Sequence, residues 1–372
     1  MLLQEEIKKR NLPDLFTFRN GNKVVSLEDW QKRRCEIMDI LAHACYGYIP
    51  NLAPVVEAEV IAENNDDICG KAIYRKVMLH IRHTPIRALA SDAAAAEDCV
   101  SFPINITIPK NVGKAPMFVT LSFSLLAGSE FLPLEEIIDN GYGIVSFCYQ
   151  DIAFDRLGPA GRGINYNERE NETDSWGTIG KWAWGASRVL DYLLAVDEID
   201  KDRIAVTGAS RLGKTALWAA ASDNRFSMAV PMIDGTGGAS LYRGNVLYGV
   251  DRLIDHYPYW FCGNFQKYLG KVEQLPFDAH FLVAAMAPRP VYICCGNEDQ
   301  YTDEVGEFLA CIAASPVYEL FGKKGMVAED SLPAEEAAYI EGSLGMHIRK
   351  GPHYVSRHDW LGAIGYRNLH KV

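Results

Sequence analysis

The sequence predicts an α/β protein, a three-layer α/β/α sandwich with a mostly parallel central sheet. Short, continuous apolar runs alternate with helical stretches from about residue 115 onward, and such runs are typical of strands buried on both faces. Strand–helix alternation predicts a doubly wound sheet with right-handed crossovers. The predicted strands are residues 117–123, 143–149, 203–208, 228–233 and 290–296, and the predicted helices are residues 177–194 and 213–221.

The region before this alternation predicts an extension of the sheet. Ser26 is expected to cap an amphipathic helix that runs to about Tyr46 and ends at Gly47. Three further segments are rich in β-branched residues and predict antiparallel strands joined by polar turns. We expect residues 1–110 to decorate a core formed by residues 111–372, within one compact domain. The predicted antiparallel strands are residues 55–63, 72–82 and 101–109.

The composition predicts a folded, soluble protein. Apolar residues make up 48% of the 372 residues and charged residues 23%, which is the balance of an ordinary globular chain. The net charge of −11 and the lack of a dense Lys/Arg run argue against nucleic acid as a partner. No apolar run is long enough to cross a membrane, and the first residues include acids and bases where a signal peptide needs an apolar stretch. We therefore expect a cytoplasmic protein without a membrane partner.

Most of the nine cysteines are predicted to be reduced thiols in the core. They are scattered without a CxxC pair, and Cys294 and Cys295 lie inside an apolar run. The histidines show no HExxH pattern and no clustering with cysteines, so no metal site is expected.

Residues 206–214 contain the candidate for a catalytic nucleophile. A strand that turns sharply into a helix, with Gly208 and Ser210 at the bend, is typical of the nucleophile elbow of α/β-hydrolases. A second glycine commonly follows the serine by two residues, and here Leu212 occupies that place, with Gly213 after it. The alternative is that Ser210 only caps the following helix, since serine is a favoured N-cap residue.

The candidate acid lies at the end of a predicted strand. Asp299 comes directly after the strand 290–296, where the α/β-hydrolase fold places an acidic residue. Glu298 beside it is the first alternative. Asp234, after the strand 228–233, is a second position from which a carboxylate could reach a base. Each of them could instead be an ordinary turn residue.

The candidate base is His353, close to the C-terminus and flanked by His347 and His358. An imidazole titrates near neutral pH, so it suits transfer of a proton from the serine to a leaving alcohol. The order Ser210, Asp299, His353 along the chain is the order in α/β-hydrolases. The sequence therefore predicts a serine esterase.

Two cations near the nucleophile are candidates for contacts with the reacting groups. The backbone N–H of Arg211 would begin the helix and could bind the oxyanion, and its guanidinium could add a charged donor. Lys214, one turn later, could meet an anionic or hydroxyl-rich substrate. Alternatively, both are ordinary exposed cations.

These residues resemble the glucuronoyl esterases of carbohydrate esterase family 15, which share a Gly-x-Ser-Arg-x-Gly-Lys elbow. The resemblance implies Ser210 as nucleophile, Arg211 beside the oxyanion, Lys214 toward sugar hydroxyls, Trp260 lining the sugar site and His353 as base. It covers about residues 140–362. The matching segments are 176–185, 208–214, 235–239, 259–261, 275–280, 287–290, 306–308 and 345–349.

Several positions depart from the family pattern. Ile233 stands where fungal members have the catalytic Glu, which makes Asp299 the better choice for the acid. Tyr248 replaces a Glu expected to hold sugar hydroxyls, and Tyr259 stands where His is common. Ala209 and Tyr354 replace the two cysteines that fungal members pair, so the resemblance implies no disulfide there.

The sequence and the resemblance together predict hydrolysis of a carboxylic ester on a plant-cell-wall-derived carbohydrate. The expected substrate is the ester between 4-O-methylglucuronate and an alcohol, split by acyl transfer without a metal or organic cofactor. An acetyl xylan esterase is the alternative among enzymes, and a non-catalytic carbohydrate-binding protein is the alternative of another class. A cytoplasmic location would limit the partner to a small, imported carbohydrate ester. The oligomeric state stays open.

Overall fold

A ten-stranded sheet forms the centre of the computed structural model, which describes residues 2–50, 52–85, 98–124, 131–158, 164 and 172–372. The strands are β1 (Leu52–Asp66), β2 (Ala72–Pro85), β3 (Asp98–Pro109), β4 (Ala115–Ser122), β5 (Gly143–Cys148), β6 (Ile199–Ala209), β7 (Met228–Met232), β8 (Val291–Gly296), β9 (Ala338–Tyr339) and β10 (Leu344–Arg349). Their order across the sheet is β1-β2-β3-β5-β4-β6-β7-β8-β10-β9.

The central strands are parallel and buried on both faces. β5, β4, β6, β7, β8 and β10 pair in parallel, each with its neighbour in that order. Every residue of β4 and of β8 is buried. Burial on both faces explains why these strands appear in the sequence as continuous apolar runs. The five parallel strands predicted from the sequence are all present, with ends that differ by a few residues.

The N-terminal strands extend this sheet in the antiparallel sense, as predicted. β1 pairs with β2, β2 with β3, and β3 with β5. β1 is the outer strand of the sheet, and its Glu57, Glu59 and Glu63 are exposed. Negative charges on an outer strand disfavour pairing with a strand of another chain. Because β3 is hydrogen-bonded to β5, this region belongs to the same sheet as the core. The division of the chain at residue 110 stays a prediction.

Helices cover both faces of the sheet and complete the three layers. They are α1 (Leu2–Lys9), α2 (Leu27–Leu41, continued by a π-helical turn, Ala42–Tyr46), α3 (Leu134–Asp139), α4 (Thr178–Leu193), α5 (Arg211–Ser222), α6 (Val250–His256), α7 (Ala279–Ala285), α8 (Glu304–Leu320) and α9 (Arg357–His370), with a helical turn at Asp67–Gly70 and 3-10 turns at Tyr149–Asp151, Gly263–Tyr268 and Val272–Gln274. α3 and α9 pack on one face in a small core that includes Phe118, Tyr142 and Trp360. The larger core on the other face contains α2, α4, α5, α7 and α8.

Ser26 caps α2 as predicted, accepting a hydrogen bond from the backbone of Asp29 at 3.1 Å. In the described part of the chain, every helix is too short or too polar to span a bilayer. Five of the nine cysteines are buried, and Cys294 and Cys295 lie in β8 as the apolar run suggested.

Candidate active site

Ser210 lies at a sharp turn between β6 and α5. Its backbone has φ 56° and ψ −122°, a conformation that costs a non-glycine residue about 1–3 kcal/mol and is typical of functional turns. The backbone N–H of Ser210 donates to the carbonyl of Met232 in β7 at 2.8 Å, which holds the turn against the sheet. Although Ser210 precedes the helix, its side chain makes no capping hydrogen bond within the described residues. The serine therefore does not serve as an ordinary cap.

Two glycines allow this turn to close. A Cβ atom on Gly208 would lie 2.6 Å from the carbonyl oxygen of Leu212. A Cβ atom on Gly213 would lie 2.7 Å from the Cβ of Asp234 and 3.0 Å from the carbonyl oxygen of Met232. The close approach of α5 to the end of β7 thus needs a glycine at 213, although the common motif has its glycine one residue earlier.

His353 and Asp299 form a pair beyond the carboxyl ends of the parallel strands, where Ser210 also lies. Nδ1 of His353 lies 2.6 Å from Oδ2 of Asp299, whose side chain is fully buried. Oδ1 of Asp299 accepts the backbone N–H of Tyr301 at 2.9 Å, and the Tyr301 ring and the imidazole make an edge-to-face contact with their centres 5.0 Å apart. With Nδ1 engaged by the carboxylate, Nε2 is the nitrogen left for chemistry. Glu298 is exposed.

Asp234 does not pair with the histidine. It is buried, and its Oδ2 accepts the backbone N–H of Ala239 at 2.7 Å. Burial raises its pKa to about 6, against the opposing effect of Lys214. Of the three carboxylates predicted as candidates, the structure therefore brings Asp299 alone to His353.

Lys214 is buried beside Asp234. Its Nζ donates to the main-chain oxygen of Asp234. Burial lowers the pKa of Lys214 to about 8, and Asp234 and Glu307 act in the opposite direction. Glu307 is fully buried as well, accepts the backbone N–H of Gly235 at 3.1 Å, and has its pKa raised by burial and by Asp234. The alternative that Lys214 is an ordinary surface cation was wrong.

Arg211 lies among aromatic rings. Its guanidinium carbon is 4.9 Å from the centre of the Trp260 ring, 5.4 Å from that of Tyr257 and 5.6 Å from that of Phe123. It also forms an ion pair with Asp155. Burial lowers the pKa of Arg211, but the attraction of Asp155 outweighs burial and the pKa lies above its usual range. The surface-cation alternative was therefore wrong for Arg211 too.

A cavity of about 260 Å³ brings most of these residues together. On one side, the rings of Trp260 and Tyr257 stack face to face with their centres 3.8 Å apart. Ser210, His353 and both cations open onto the same space. The lining residues are Ser210, Arg211, Lys214, Ile233, Asp234, Tyr248, Leu253, Tyr257, Trp260, Tyr301 and His353.

Comparison with known proteins assigns this arrangement to a family. Residues 92–322 match the family model described as glucuronyl esterase, fungi. The chain belongs to the glucuronoyl esterase family. A carbohydrate esterase from an unknown prokaryotic organism is 30% identical, over 99% of this chain and 91% of that protein. A 4-O-methyl-glucuronoyl methylesterase of Wolfiporia cocos is 29% identical, over 84% of this chain and 72% of that protein.

Solved glucuronoyl esterase structures share the fold. The enzyme from Solibacter usitatus is 31% identical, with a TM-score of 0.84 over 96% of this chain and 97% of that one. A structure described as a promiscuous esterase of carbohydrate esterase family 15 from a marine bacterial metagenome is 30% identical, with a TM-score of 0.84 over 96% of both chains. The predicted α/β-hydrolase fold, the family and the enzyme class of carboxylic ester hydrolase are confirmed.

Asp155 is a residue of this glucuronoyl esterase that the sequence did not predict. It lies in the loop after β5, is 8% exposed, and binds Arg211 and the indole of Trp260 with the same carboxylate. Tyr257, Tyr301 and Glu307 were also missed. A signal was available for Glu307, which lies in the matching segment 306–308, whereas Tyr257 and Tyr301 lie outside the matching segments, although within the span of residues 140–362.

A second buried group of polar residues flanks the loop of residues 350–356, which carries His353 and is called the histidine loop. Donor atoms of Cys294, His347 and Asp359 lie within 4.8 Å of one another, a spacing that a metal ion could use. Asp359, however, already binds Nε2 of His347 at 2.9 Å and both of its oxygens bind Nε of Arg349. Nδ1 of His347 lies 3.0 Å from the hydroxyl of Tyr292. The group is therefore a hydrogen-bonded network in which the guanidinium of Arg349 supplies the positive charge beside Asp359.

Proposed function

We propose that this esterase hydrolyses esters between the carboxyl group of a 4-O-methylglucuronate unit and an alcohol. The observation that carries the proposal is the pairing of His353 with Asp299 at a cavity that Ser210 also lines. The relative from Wolfiporia cocos is a 4-O-methyl-glucuronoyl methylesterase, which supports a uronate ester as the substrate.

The chemistry would be acyl transfer in two steps. Ser210 Oγ attacks the ester carbonyl while Nε2 of His353 takes the serine proton. The alcohol then leaves with that proton, and the uronoyl group stays bound to the serine. Water repeats the attack with His353 as base, and the uronic acid and free serine are released. Asp299 holds the imidazole in the required tautomer and stabilises its charged form.

Arg211 is proposed to stabilise the negative oxygen that forms in each step. Its backbone N–H is the first of α5, and the first N–H groups of a helix have no partner within the helix. They point toward the turn, where the positive end of the helix dipole favours an anion. The guanidinium, held by Asp155, adds a fixed positive charge on the same side.

The sugar is proposed to bind on the aromatic side of the cavity. Trp260 and Tyr257 offer flat apolar surface, and Lys214 has two N–H donors beyond the one bound to Asp234. A volume of about 260 Å³ is just below the range of about 300–1,000 Å³ that is usual for small-molecule sites. It suits one sugar unit with its ester better than a polysaccharide chain, in agreement with a small carbohydrate ester as partner.

An acetyl ester on a xylo-oligosaccharide is the second candidate substrate, and one observation favours it. Tyr248, in place of the Glu expected to hold sugar hydroxyls, lines the cavity and bonds through its hydroxyl to Nδ1 of His256 at 2.6 Å. A site without that carboxylate has fewer contacts that select a uronate.

The test is hydrolysis of methyl or benzyl glucuronate, acetylated xylo-oligosaccharide and 4-nitrophenyl acetate by the unaltered protein and by Ser210→Ala. Ser101→Ala, on the exposed face of β3, is the matched control. We expect turnover of the glucuronate esters that Ser210→Ala loses and Ser101→Ala keeps. Turnover of the acetyl substrates alone would favour the second candidate, and turnover of none would contradict both.

A further inference from the structure

Arg349 bonds to the chain on both sides of His353. It is the last residue of β10 and is 7% exposed. Its Nη2 donates to the carbonyl oxygen of Pro352 at 3.2 Å and to that of Tyr354. Since these are the two residues next to His353, one guanidinium fixes the backbone immediately before and after the base.

Asp359 fixes Arg349 in turn. Nε of Arg349 donates to the two oxygens of Asp359 at 2.8 and 3.1 Å. Asp359 is fully buried near the start of α9, where it also accepts the backbone N–H and the hydroxyl of Ser356 at 2.7 and 2.8 Å. The ion pair therefore ties the end of β10 to the start of α9, and the histidine loop spans the short distance between them.

The histidine loop is also bonded to the loop that carries the acid. The backbone N–H of Asn297 donates to the carbonyl of Arg349 at 2.9 Å, and its side-chain oxygen accepts the N–H of Gly351 at 3.2 Å. At Gly296 a Cβ atom would lie 2.5 Å from the carbonyl oxygen of Gly351 and 3.0 Å from Nη1 of Arg349. The loops of His353 and Asp299 thus pack as one unit, with Arg349 between them.

We propose that Arg349 is a positioning residue for His353, acting through the backbone of residues 352 and 354 and not through contact with substrate. The inference rests on the proposed role of His353 as base. A guanidinium suits this position because its planar fork donates from two separate nitrogens, Nε to the carboxylate and Nη2 to the two carbonyls, whereas an ammonium group has its three donors on a single nitrogen. A shift of the imidazole by about 1 Å would lower turnover by about 10²-fold.

The experiment measures two rates on Arg349→Ala and Arg349→Lys. The first is kcat on methyl glucuronate. The second is labelling by a fluorophosphonate, in which Ser210 forms a bond to phosphorus, fluoride leaves, and His353 takes the serine proton. Labelling depends on the base but not on recognition of the sugar. Arg289→Ala is the matched control, because Nη1 of Arg289 also binds carbonyls, those of Ala220 and Phe226, at 2.7 and 2.9 Å.

We expect Arg349→Ala to lower both rates by about 10²-fold with KM unchanged, and Arg349→Lys to recover part of the loss. Arg289→Ala should lose thermal stability and keep both rates. Equal labelling of Arg349→Ala and the unaltered protein would overturn the inference. If Arg349→Ala does not fold, Arg349→Lys and Asp359→Asn give the same comparison.

The outcomes also separate this inference from the proposed function. Labelling without turnover of glucuronate esters would contradict the proposed substrate and leave the labelling rates as the test of Arg349. Failure of the unaltered protein to label would contradict the proposed nucleophile and base, and the inference with them.

Discussion

Asp155 forms an ion pair with Arg211, which lines the cavity, and the same carboxylate binds three further donors. The hydroxyl of Tyr149 donates to Oδ2 at 3.0 Å, while the hydroxyl of Tyr259 and Nε1 of Trp260 donate to Oδ1 at 3.1 and 2.8 Å. An ionised carboxylate has about four acceptor sites, so Asp155 is fully used. One acid thus binds both the cation next to Ser210 and the indole of the proposed sugar site.

Asp155→Asn should lower kcat/KM for methyl glucuronate by about 10²-fold, a loss of the size seen when one donor to an oxyanion is removed. The amide keeps one acceptor oxygen but presents an N–H₂ group and no charge to Arg211. Asp191→Asn is the control, because it breaks an ion pair with Arg225 at the surface. Steady-state kinetics that are equal for the two variants would show that Asp155 does not orient Arg211.

Asp299→Asn should lower kcat by about 10⁴-fold, because the amide favours the wrong tautomer of the histidine and cannot stabilise its charged form. Glu298→Gln should leave kcat unchanged, since Glu298 is exposed. Asp234→Asn is the decisive comparison, measured on the same ester. A loss for Asp234→Asn as large as for Asp299→Asn would mean that the observed pairing at 2.6 Å is not the one used in catalysis.

The sequence predicted the centre of the sheet because those strands are apolar on both faces. It did not predict β10, in which His347 and Arg349 interrupt the apolar run although every residue of the strand is buried. Asp359, ten residues after Arg349, hydrogen-bonds to both of these polar side chains. A local pattern does not show such a distant partner, and without one a buried arginine would be too costly.

The proposed triad was predictable because a motif, a strand end and a chain order all point to it. Asp155 was not, because it lies in an irregular loop and three of its four donors, Arg211, Tyr259 and Trp260, are more than fifty residues away in the chain. One signal was available. The rule that selected Asp299, an acid closely following a buried strand, gives Asp151 first when applied to β5, three residues after the strand, and Asp155 next, seven residues after it.

Gly213→Ala should destabilise the protein by about 1–3 kcal/mol, because the added methyl would overlap the Cβ of Asp234 and a backbone carbonyl of β7. Neither atom can move aside as the end of a flexible side chain could. Gly365→Ala is the matched control in α9, where an added Cβ meets nothing within 4 Å. At that position alanine has the higher helix propensity and lowers the entropy of the unfolded chain. Both effects should stabilise the protein, by up to about 1 kcal/mol. Denaturant unfolding of both variants measures the difference, and equal midpoints would contradict the close approach at the elbow.

As the pH rises above about 8, Lys214 should weaken substrate binding and increase the stability of the fold. Its pKa is lowered to about 8 by burial, so above that pH the folded protein loses the ammonium donors proposed to hold sugar hydroxyls. KM for methyl glucuronate should then rise, whereas KM for 4-nitrophenyl acetate should not. In the unfolded chain Lys214 keeps its proton to the ordinary value of about 10.5. Between about 8 and 10.5 the unfolded state binds more protons, so the contribution of Lys214 to stability increases with pH.

The variant Lys214→Met isolates both effects, because it keeps the buried stem and removes the titrating group. Groups that do not interact with Lys214 titrate equally in the two proteins. The difference between the two pH profiles therefore comes from Lys214 and from the carboxylates coupled to it. We expect the rise of KM with pH to disappear in Lys214→Met and its KM to be high throughout. The part of the rise in stability between about pH 8 and 10.5 that comes from Lys214 should also disappear in the variant, because it lacks the group whose pKa burial lowers. A KM that rises with pH equally in both proteins would assign the titration to another group and leave Lys214 without a part in sugar binding.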